Sequence, residues 1–295
     1  MTHADPLAGA ISASTGSRPR DNELDLFGLT HPGHVRTENQ DHFLLGTIHA
    51  QVVIHATSLP SPERLPVHGE RLATIMLVAD GVGGGSEGGE ASQLAVESIT
   101  RYVSSTMRCC HQAGTTADEE FLGSLRAAAL EAHAAVLAQA AARDLPRVMA
   151  TTLTLVIAVW PWAYVVQVGD SRCYFYANGE LRQVTRDQTV AQDLVDMGVL
   201  PPERAAASPY SHVLARAIGA EEATPEVAHL NIRQRGSVLL LCSDGLTKHV
   251  SDDEIAEHLR TMTSSEQVCR ALVELALARG GTDNITVLTG RATGN

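Results

Sequence analysis

The sequence predicts an α+β fold in which antiparallel sheets are covered on the outside by helices. Three observations predict it. Strand-like and helix-like segments are grouped along the 295 residues, and grouping favours antiparallel sheets over a doubly wound parallel sheet. Apolar and polar residues alternate in several segments, which is typical of strands with one buried face. Other segments repeat apolar residues at helical spacing, as amphipathic helices do.

The first half of the chain predicts strands followed by two helices. The predicted strands cover residues 24–45, 47–56 and 72–79. Between the last two, residues 58–71 contain three prolines and therefore predict a loop. After a glycine-rich turn, apolar stripes predict helices over about residues 91–103 and 122–136. No apolar run approaches the ~20 residues that a membrane span needs.

The second half predicts two hairpins, an irregular region and a helical pair. The strands before the irregular region cover residues 153–164, 165–168, 172–176 and 181–184, with turns at Pro161 and at Asn178-Gly179, the latter a strong two-residue turn signal. The irregular region, residues 187–217, contains one short helical segment. Strands follow at residues 227–232, 238–242 and 285–289.

Two capping signatures mark the predicted helices that precede the last strand. Ser251 with Glu254, and Thr263 with Glu266, fit the capping box, in which each side chain bonds the other residue's backbone. Gly280 then ends the second of these helices. We predict one domain over residues 23–291 and a disordered tail over residues 1–22.

Charge and cysteine content restrict the possible functions. The net charge of −12 argues against nucleic-acid binding. The five cysteines form no CxxC motif, and their odd number fits thiols kept reduced in the cytoplasm. The N-terminus lacks the pattern of a secretory signal. We therefore expect a cytoplasmic protein, a monomer by default, without a membrane or nucleic-acid partner.

Three aspartates stand at the ends of apolar runs that are far apart in the chain. Asp80 and Asp244 follow such runs, and Asp283 precedes one. A carboxylate at the end of a buried strand is costly unless a partner compensates it. We expect no Lys or Arg near any of the three, so a shared divalent cation is the predicted partner. A metal-dependent hydrolase is the leading hypothesis from the residues alone.

Each candidate also fits an ordinary structural role. Asp244 could cap a turn, since Asp-Gly is common in turns, and Asp283 could form an Asx turn. The glycines after Asp80 could cradle a phosphate, although GxxxxGK[ST] is absent. Asp170 could pair with Arg172 or bind metal.

The segment HVRTENQDHF adds an arginine and a further carboxylate to the candidates. The guanidinium of Arg36 suits two oxygens of a phosphate, and Asp41 adds a carboxylate near the start of a strand. Read alone, the two could instead form a surface ion pair.

The ordered motifs closely resemble those of the metal-dependent Ser/Thr protein phosphatases (the PPM or protein phosphatase 2C family), in their bacterial form. The motifs are RTENQD, VADGVGG, TTLTL, VGDSR, LARAIG, LLCSDGL and GTDNITVL, spread over residues 24–289. The resemblance implies a four-layer αββα sandwich of two antiparallel sheets flanked by helices. It also implies that residues 23–291 form a catalytic domain with a flap at about residues 187–217, which we expect to move and to shape substrate choice.

The resemblance also implies the site. It assigns metal binding to Asp80, Gly81, Asp244 and Asp283 at two Mn²⁺ or Mg²⁺ ions, to Asp170 at a possible third ion, and to Asp41 through water. Arg36 would bind the substrate phosphate and, with Asp80, Asp244 and Asp283, complete the catalytic set. Several positions depart from the pattern, among them Val82, Gln40, Ala150 and residues 187–189. Val82 replaces a histidine of eukaryotic members, which leaves metal-bound water as our preferred proton donor. Gln40 replaces a common glutamate.

The implied activity is hydrolysis of phosphoserine and phosphothreonine in proteins by a metal-activated water. The expected partners are phosphorylated proteins, including a Ser/Thr kinase that the enzyme opposes. One alternative is an enzyme dedicated to a single phosphorylated antagonist of an anti-sigma factor. Another is a catalytically silent module that only binds phosphoproteins, which the retained aspartates disfavour.

Overall fold

Two antiparallel sheets form the centre of the molecule. The structure, a computed structural model, describes residues 17–51, 68–83, 86–106, 115–143 and 149–293. Residues 1–16 of the predicted tail, residues 52–56 of a predicted strand and Cys109-Cys110 lie outside the described residues. The predicted tail ends early, because Asp21–Glu23 forms a 3₁₀ helix. Arg71 holds this turn with hydrogen bonds of 2.7 Å to the Asp21 carboxylate and to the carbonyl oxygen of Pro19.

The chain crosses between the two sheets four times, after β1, β6, β8 and β9. The first sheet has the order β1-β11-β10-β7-β8 and the second the order β2-β3-β5-β6-β9, with β4 paired to β3. The strands of the first sheet are β1 (Leu24–His31), β7 (Arg172–Ala177), β8 (Glu180–Gln183), β10 (Val238–Cys242) and β11 (Ile285–Ala292). Those of the second are β2 (Asp41–Gln51), β3 (His68–Val82), β4 (Ala150–Thr151), β5 (Leu153–Val159), β6 (Trp162–Val168) and β9 (Glu226–Asn231). The C-terminal strand therefore lies between the N-terminal strand and β10.

Helices cover both outer faces. The helices are α1 (Glu87–Thr106), α2 (Thr115–Ala142), α3 (Val190–Asp196), α4 (Asp244–Thr247), α5 (Asp252–Arg260) and α6 (Ser265–Ala278). One buried cluster joins α1 and α2 to the second sheet, and another joins α4, α5 and α6 to the first. A third, which includes Met76, Leu241 and Leu288, fills the space between the sheets. The predicted four-layer αββα fold is confirmed.

Local sequence signals predicted most helices, strands and turns correctly, but some predicted ends differ from the structure. The hairpin turn is confirmed, with Asn178 and Gly179 at φ 55° and 85°, as its tight turn requires. The capping box of Ser251 and Glu254 is also present. The box at Thr263 is wrong, because the helix begins one residue later and Ser264 is its N-cap.

Three strand boundaries differ from the prediction. The loop over residues 58–71 is wrong at its end, since β3 already begins at His68. The hairpin at Pro161 joins strands of equal length, β5 and β6, rather than a long and a short one. The last strand runs to Ala292, because it pairs on both sides with β1 and β10.

Helix α2 is alanine-rich and unusually apolar. By length and composition, Asp118–Ala142 is the one described helix that could cross a membrane, which corrects the expectation that no segment approaches this limit. One face of the helix is buried, where Phe121, Leu125, Ala132 and Val136 join the cluster against the second sheet.

Candidate metal centre

Asp41 and Asp80 face each other across neighbouring strands at one end of the sandwich. Asp41 begins β2, Asp80 lies near the end of β3, and the two are paired in the antiparallel register. Burial raises the pKa of Asp80 well above its ordinary value, and the nearby carboxylates, Asp41 foremost, raise it further. Two facing carboxylates at a buried strand end repel each other, so a cation between them would relieve a real cost.

Of the two carboxylate oxygens of Asp41, one accepts hydrogen bonds from described residues and the other does not. Its Oδ2 accepts hydrogen bonds of 2.7 Å from Ser243 and 2.6 Å from Thr286. Its Oδ1 is buried, and no group among the described residues donates to it. Burial raises the pKa of Asp41 to about 6, although the two hydroxyl groups oppose this increase. An orphaned carboxylate oxygen is what a metal or its bound water would satisfy.

Gly81 lies where the backbone leaves no space for a side chain. A Cβ at this position would overlap the carbonyl of Gly88 in α1 and approach the carbonyl oxygen of Gln40. The backbone of Asp80 is fixed as well. Its N–H donates to Thr152 at 3.0 Å, and its carbonyl oxygen accepts from the Thr151 hydroxyl at 2.9 Å. The TTLTL motif thus fixes the backbone of Asp80 near the end of β3.

Asp244 and Asp283 share a lysine. The Nζ atom of Lys248 lies 2.7 Å from Oδ2 of Asp244 and 2.7 Å from Oδ2 of Asp283. The expectation that no basic residue approaches these carboxylates is therefore wrong. Asp244 is the first residue of α4, so Lys248 lies one helical turn further on and reaches back to it, as an i,i+4 pair does.

Arg36 also contacts Asp283. Its Nε donates to Oδ1 at 2.7 Å and its Nη2 to Oδ2 at 2.9 Å, a bidentate pair. Burial alone would raise the pKa of Asp283, but hydrogen bonds from Arg36 and Lys248 lower it below its usual value. The alternative of an ion pair between Arg36 and Asp41 is not observed, because Asp41 is buried and Arg36 is exposed at the rim.

Asn284 anchors the loop that carries Arg36. Its Nδ2 donates to the carbonyl oxygens of Pro32 and Glu38, both at 2.9 Å. Its Oδ1 accepts the N–H of Gln40 at 2.8 Å. One side chain directly before β11 therefore sets the path of residues 32–40.

Asp170 does not pair with Arg172, which corrects the simpler interpretation of VGDSR. The guanidinium of Arg172 instead forms a fork with Asp187, with Nε–Oδ1 and Nη2–Oδ2 distances of 2.9 and 2.7 Å. Asp170 is buried, and burial followed by repulsion from Asp244 raises its pKa to about 8. Its loop is held by Gln188, whose N–H donates to the carbonyl of Gly169 and whose Oε1 accepts the Gly169 N–H, both at 2.9 Å.

The candidate ligands are of the kind that a hard divalent cation binds, although their carboxylate groups do not surround a single position. All candidate ligands are oxygen atoms, the donors that Mg²⁺ and Mn²⁺ prefer. Among the described residues, no three Asp, Glu, His or Cys side chains are grouped so that they could hold an ion as they stand. Lys248 and Arg36 occupy oxygens of Asp244 and Asp283, which accounts for part of this separation. A bound cation would satisfy the unpaired oxygen of Asp41 and would stabilise the charged form of Asp80, whose pKa is raised.

A cleft of about 790 Å³ opens over these residues. Its inner wall includes Arg36, Asp170, Asp244, Lys248 and Asp283. The irregular region forms the opposite wall through Thr189, Gln192, Pro202, Ala205, Ala206, Ser211 and His212. The structure thus brings all the predicted site residues to one end of the sandwich, with the flap beside them.

Sequence reasoning missed the residues that position the site. Ser243, Thr286 and Thr152 act through single hydroxyl groups that contact residues far away in the chain, so no local pattern signals them. Lys248 was detectable, because it follows Asp244 by four positions at the start of a helix.

Known proteins resemble this chain over most of its length. The family model of protein phosphatase 2C matches residues 66–278. The serine/threonine protein phosphatase PstP of Mycobacterium tuberculosis is 36% identical over 216 residues, which is 73% of this chain and 40% of PstP. The serine/threonine phosphatase stp of Listeria monocytogenes is 34% identical over 214 residues, covering 72% of this chain and 82% of stp.

A solved structure is similar as well. The catalytic domain of PstP in complex with two manganese ions superposes with a TM-score of 0.70 and 30% identity, covering 92% of this chain and 99% of that one. The chain spans well under half the length of the full PstP protein.

Proposed function

The chain belongs to the protein phosphatase 2C family, and from this premise we propose that it is a Mn²⁺- or Mg²⁺-dependent phosphatase that hydrolyses phosphoserine and phosphothreonine in proteins. One observation carries the proposal. The facing pair of Asp41 and Asp80 lies near Asp244 and Asp283, whose charges both raise the pKa of Asp80. The two manganese ions of the similar PstP structure support the same centre.

The metal-binding roles follow from the position of each residue. Asp80 would bridge two core ions, and the carbonyl of Gly81 would bind one of them. Asp244 and Asp283 would hold the other ion, and Asp41 would act through water. Asp170 would serve a third ion beside Asp244, a role that its burial and the repulsion between the two carboxylates support. When bound, the ions supply an activated water and neutralise charge on the phosphoryl group.

The chain's own groups bind and orient the phosphate. Arg36 is exposed at the cleft and presents a planar fork, which suits two phosphoryl oxygens. It pairs with Asp283 in the structure, so binding a phosphate would require it to exchange one acidic partner for another. Val82 has no group that can donate a proton, which leaves a water molecule as the acid for the leaving hydroxyl.

The cellular setting extends the same proposal. The enzyme would act on phosphorylated proteins, including a Ser/Thr kinase whose signalling it reverses. It would work as a monomer in the cytoplasm, where its described cysteines, all free and buried, would stay reduced. Neither a nucleic acid nor a membrane is part of the proposed function. The flap, about residues 187–217, would select the protein substrate.

A single assay tests the activity. The purified protein is given a phosphothreonine peptide with EDTA or with added Mn²⁺, beside Asp80→Asn and the surface control Glu131→Gln. We expect hydrolysis only with Mn²⁺, its loss in Asp80→Asn, and its retention in Glu131→Gln. A protein that binds the peptide but does not hydrolyse it at any Mn²⁺ concentration would instead be a silent binding module.

A further inference from the structure

Lys248 lies where the proposed metal centre requires positive charge. It is the single lysine of the chain. Its side chain is 20% exposed, and its ammonium group bridges two carboxylates that come from different strand ends, with both N–O distances at 2.7 Å. Burial disfavours the ammonium, but Asp244 and Asp283 outweigh this effect and raise the pKa of Lys248 above its ordinary value. The ammonium group is therefore held between two acidic side chains.

We propose that Lys248 is a tethered competitor for the metal, so that a divalent cation must displace its ammonium from Asp244 and Asp283 before the centre is complete. This inference rests on the proposed function, because it assumes that these two carboxylates bind an ion. It adds to that function a residue which sets how much metal the enzyme needs.

The geometry makes simultaneous occupation unfavourable. A Mg²⁺ ion binds carboxylate oxygens at about 2.0–2.1 Å, so an ion shared by Asp244 and Asp283 would lie between the same oxygens that Nζ now bridges. Two cations this close repel strongly where water is partly excluded. The ammonium must move away, or the ion cannot reach both carboxylates.

The surroundings allow this movement. Lysine carries its charge on a flexible four-carbon stem, and Lys248 lines the cleft of about 790 Å³. The neighbouring cation, Arg36, is less free to move, because it binds Asp283 through two hydrogen bonds of 2.7 and 2.9 Å. Asp283 keeps that partner when Lys248 leaves, whereas the Asp244 oxygen that the ammonium holds becomes free for the ion.

Two consequences follow from the competition. The ammonium lowers metal affinity, because part of the binding energy is spent on displacing it. It also stabilises the protein when no metal is present, because it neutralises carboxylates that would otherwise repel each other. Removing the charge of Lys248 should therefore change metal affinity and metal-free stability in opposite directions.

The wild-type protein gives the first test. Lysine labelled with ¹³C at the ε carbon places one probe in the chain, on Lys248, and the protein is titrated with the diamagnetic ion Mg²⁺ from an EDTA-treated start. We expect a saturable shift of this resonance together with narrowing as the side chain is released. A resonance that stays unchanged while calorimetry shows Mg²⁺ binding would overturn the proposal.

The variant Lys248→Met gives the second test. It keeps the length and the apolar stem of the side chain and removes its charge. Replacing a group that contacts metal ligands typically changes affinity by about 10- to 100-fold, and here we expect the Mn²⁺ dissociation constant from calorimetry to fall about tenfold. The melting temperature should drop in EDTA and recover at saturating Mn²⁺. Weaker or unchanged Mn²⁺ binding in the variant would contradict the competition.

A matched control separates this effect from net charge. Arg260→Met also removes one positive charge, but Arg260 is exposed on α5 and pairs with Glu257. Its Mn²⁺ dissociation constant should stay within about twofold of the wild-type value, since exposed charges are screened. Failure of the inference is distinguishable from failure of the function. In the first case Mn²⁺-dependent hydrolysis persists while the lysine signal does not move, and in the second there is no hydrolysis.

Discussion

The hydroxyl group of Thr286 donates a 2.6 Å hydrogen bond to Oδ2 of Asp41, although the two residues are 245 positions apart. Thr286 lies on β11, which is paired on both sides in one sheet, and Asp41 begins β2 of the other. The bond ties the two sheets together at the end that carries the site. It also leaves Oδ1 of Asp41 as the oxygen without a described donor.

Thr286→Val should weaken the metal centre while preserving the shape of the side chain. Loss of this bond leaves the Ser243 hydroxyl on Oδ2 of Asp41 and raises the pKa of Asp41 further, since the Thr286 hydroxyl opposes the effect of burial. A hydrogen bond to a charged group contributes about 1.5–3 kcal/mol, so we expect Mn²⁺ affinity, measured by calorimetry, to fall about tenfold. Thr289→Val removes another buried hydroxyl from the same strand, away from Asp41. Equal losses in the two variants would refute the positioning role.

Arg36→Ala should raise KM for a phosphothreonine peptide about tenfold at saturating Mn²⁺, because the lost fork would otherwise bind phosphoryl oxygens. Arg36→Lys keeps the charge without the planar fork and should give an intermediate KM. Steady-state kinetics with parallel Mn²⁺ titrations provide the measurement. Unchanged KM values would remove Arg36 from the phosphate site and leave it as a partner of Asp283 alone.

Two glycine substitutions should act in opposite directions on stability. A methyl group at Gly245 would overlap the carbonyl oxygen of Asn284, whereas one at Gly123, inside α2, meets nothing within 4 Å. Gly245→Ala should cost about 1–3 kcal/mol through overpacking. Gly123→Ala should add about 0.5–1 kcal/mol, because glycine weakens a helix interior. Denaturant unfolding at fixed Mn²⁺ measures both changes, and a stable Gly245→Ala would show that α4 can shift without penalty.

The flap should matter for protein substrates and not for a small aryl phosphate. Four of the large hydrophobic side chains exposed in the described residues lie on it, and Met197 (74%) and Val199 (68%) are the most exposed of the four. Replacing both with Ser should lower kcat/KM for a phosphoprotein about tenfold, as loss of an apolar contact of this size can, and spare p-nitrophenyl phosphate. The paired control is Leu130→Ser with Leu137→Ser on α2. If both substrates were affected equally, the flap would not be a selectivity element.

The free energy of unfolding in EDTA should fall as the pH rises from the ordinary carboxyl pKa of 3.8 to about 8. Burial raises the pKa of Asp41 to about 6 and that of Asp170 to about 8, from an ordinary value of 3.8. The folded form therefore holds protons that the unfolded chain has released, and the stability they contribute is lost as the pH passes the folded-state values. Saturating Mn²⁺ should remove this decline, because it binds the charged carboxylates. Denaturant curves across this range measure it, and a rise with pH in EDTA would contradict the raised pKa values.

Residue patterns predicted the fold better than the contacts within the site. Alternation located most strands, and the Asn178-Gly179 turn set the β7–β8 hairpin, because these signals are local. The pairing of Lys248 with Asp283 spans 35 positions, and no local pattern reports which strand ends meet. The i,i+4 relation of Lys248 to Asp244 was visible in the sequence, so the prediction of unpaired carboxylates overlooked a local signal.

Asn284 makes the assembly of the site depend on a residue that is synthesised late. This side chain, near the end of the chain, fixes residues 32–40 near its beginning. During synthesis on a ribosome, the loop that carries Arg36 emerges long before the strand that anchors it. A nascent or truncated chain that ends with α6 lacks Asp283, Asn284 and Thr286 together, so it can neither complete the centre nor hold its loop. We expect such a chain to lack the proposed activity until residues 283–286 have been synthesised, because it cannot assemble the proposed metal centre without them.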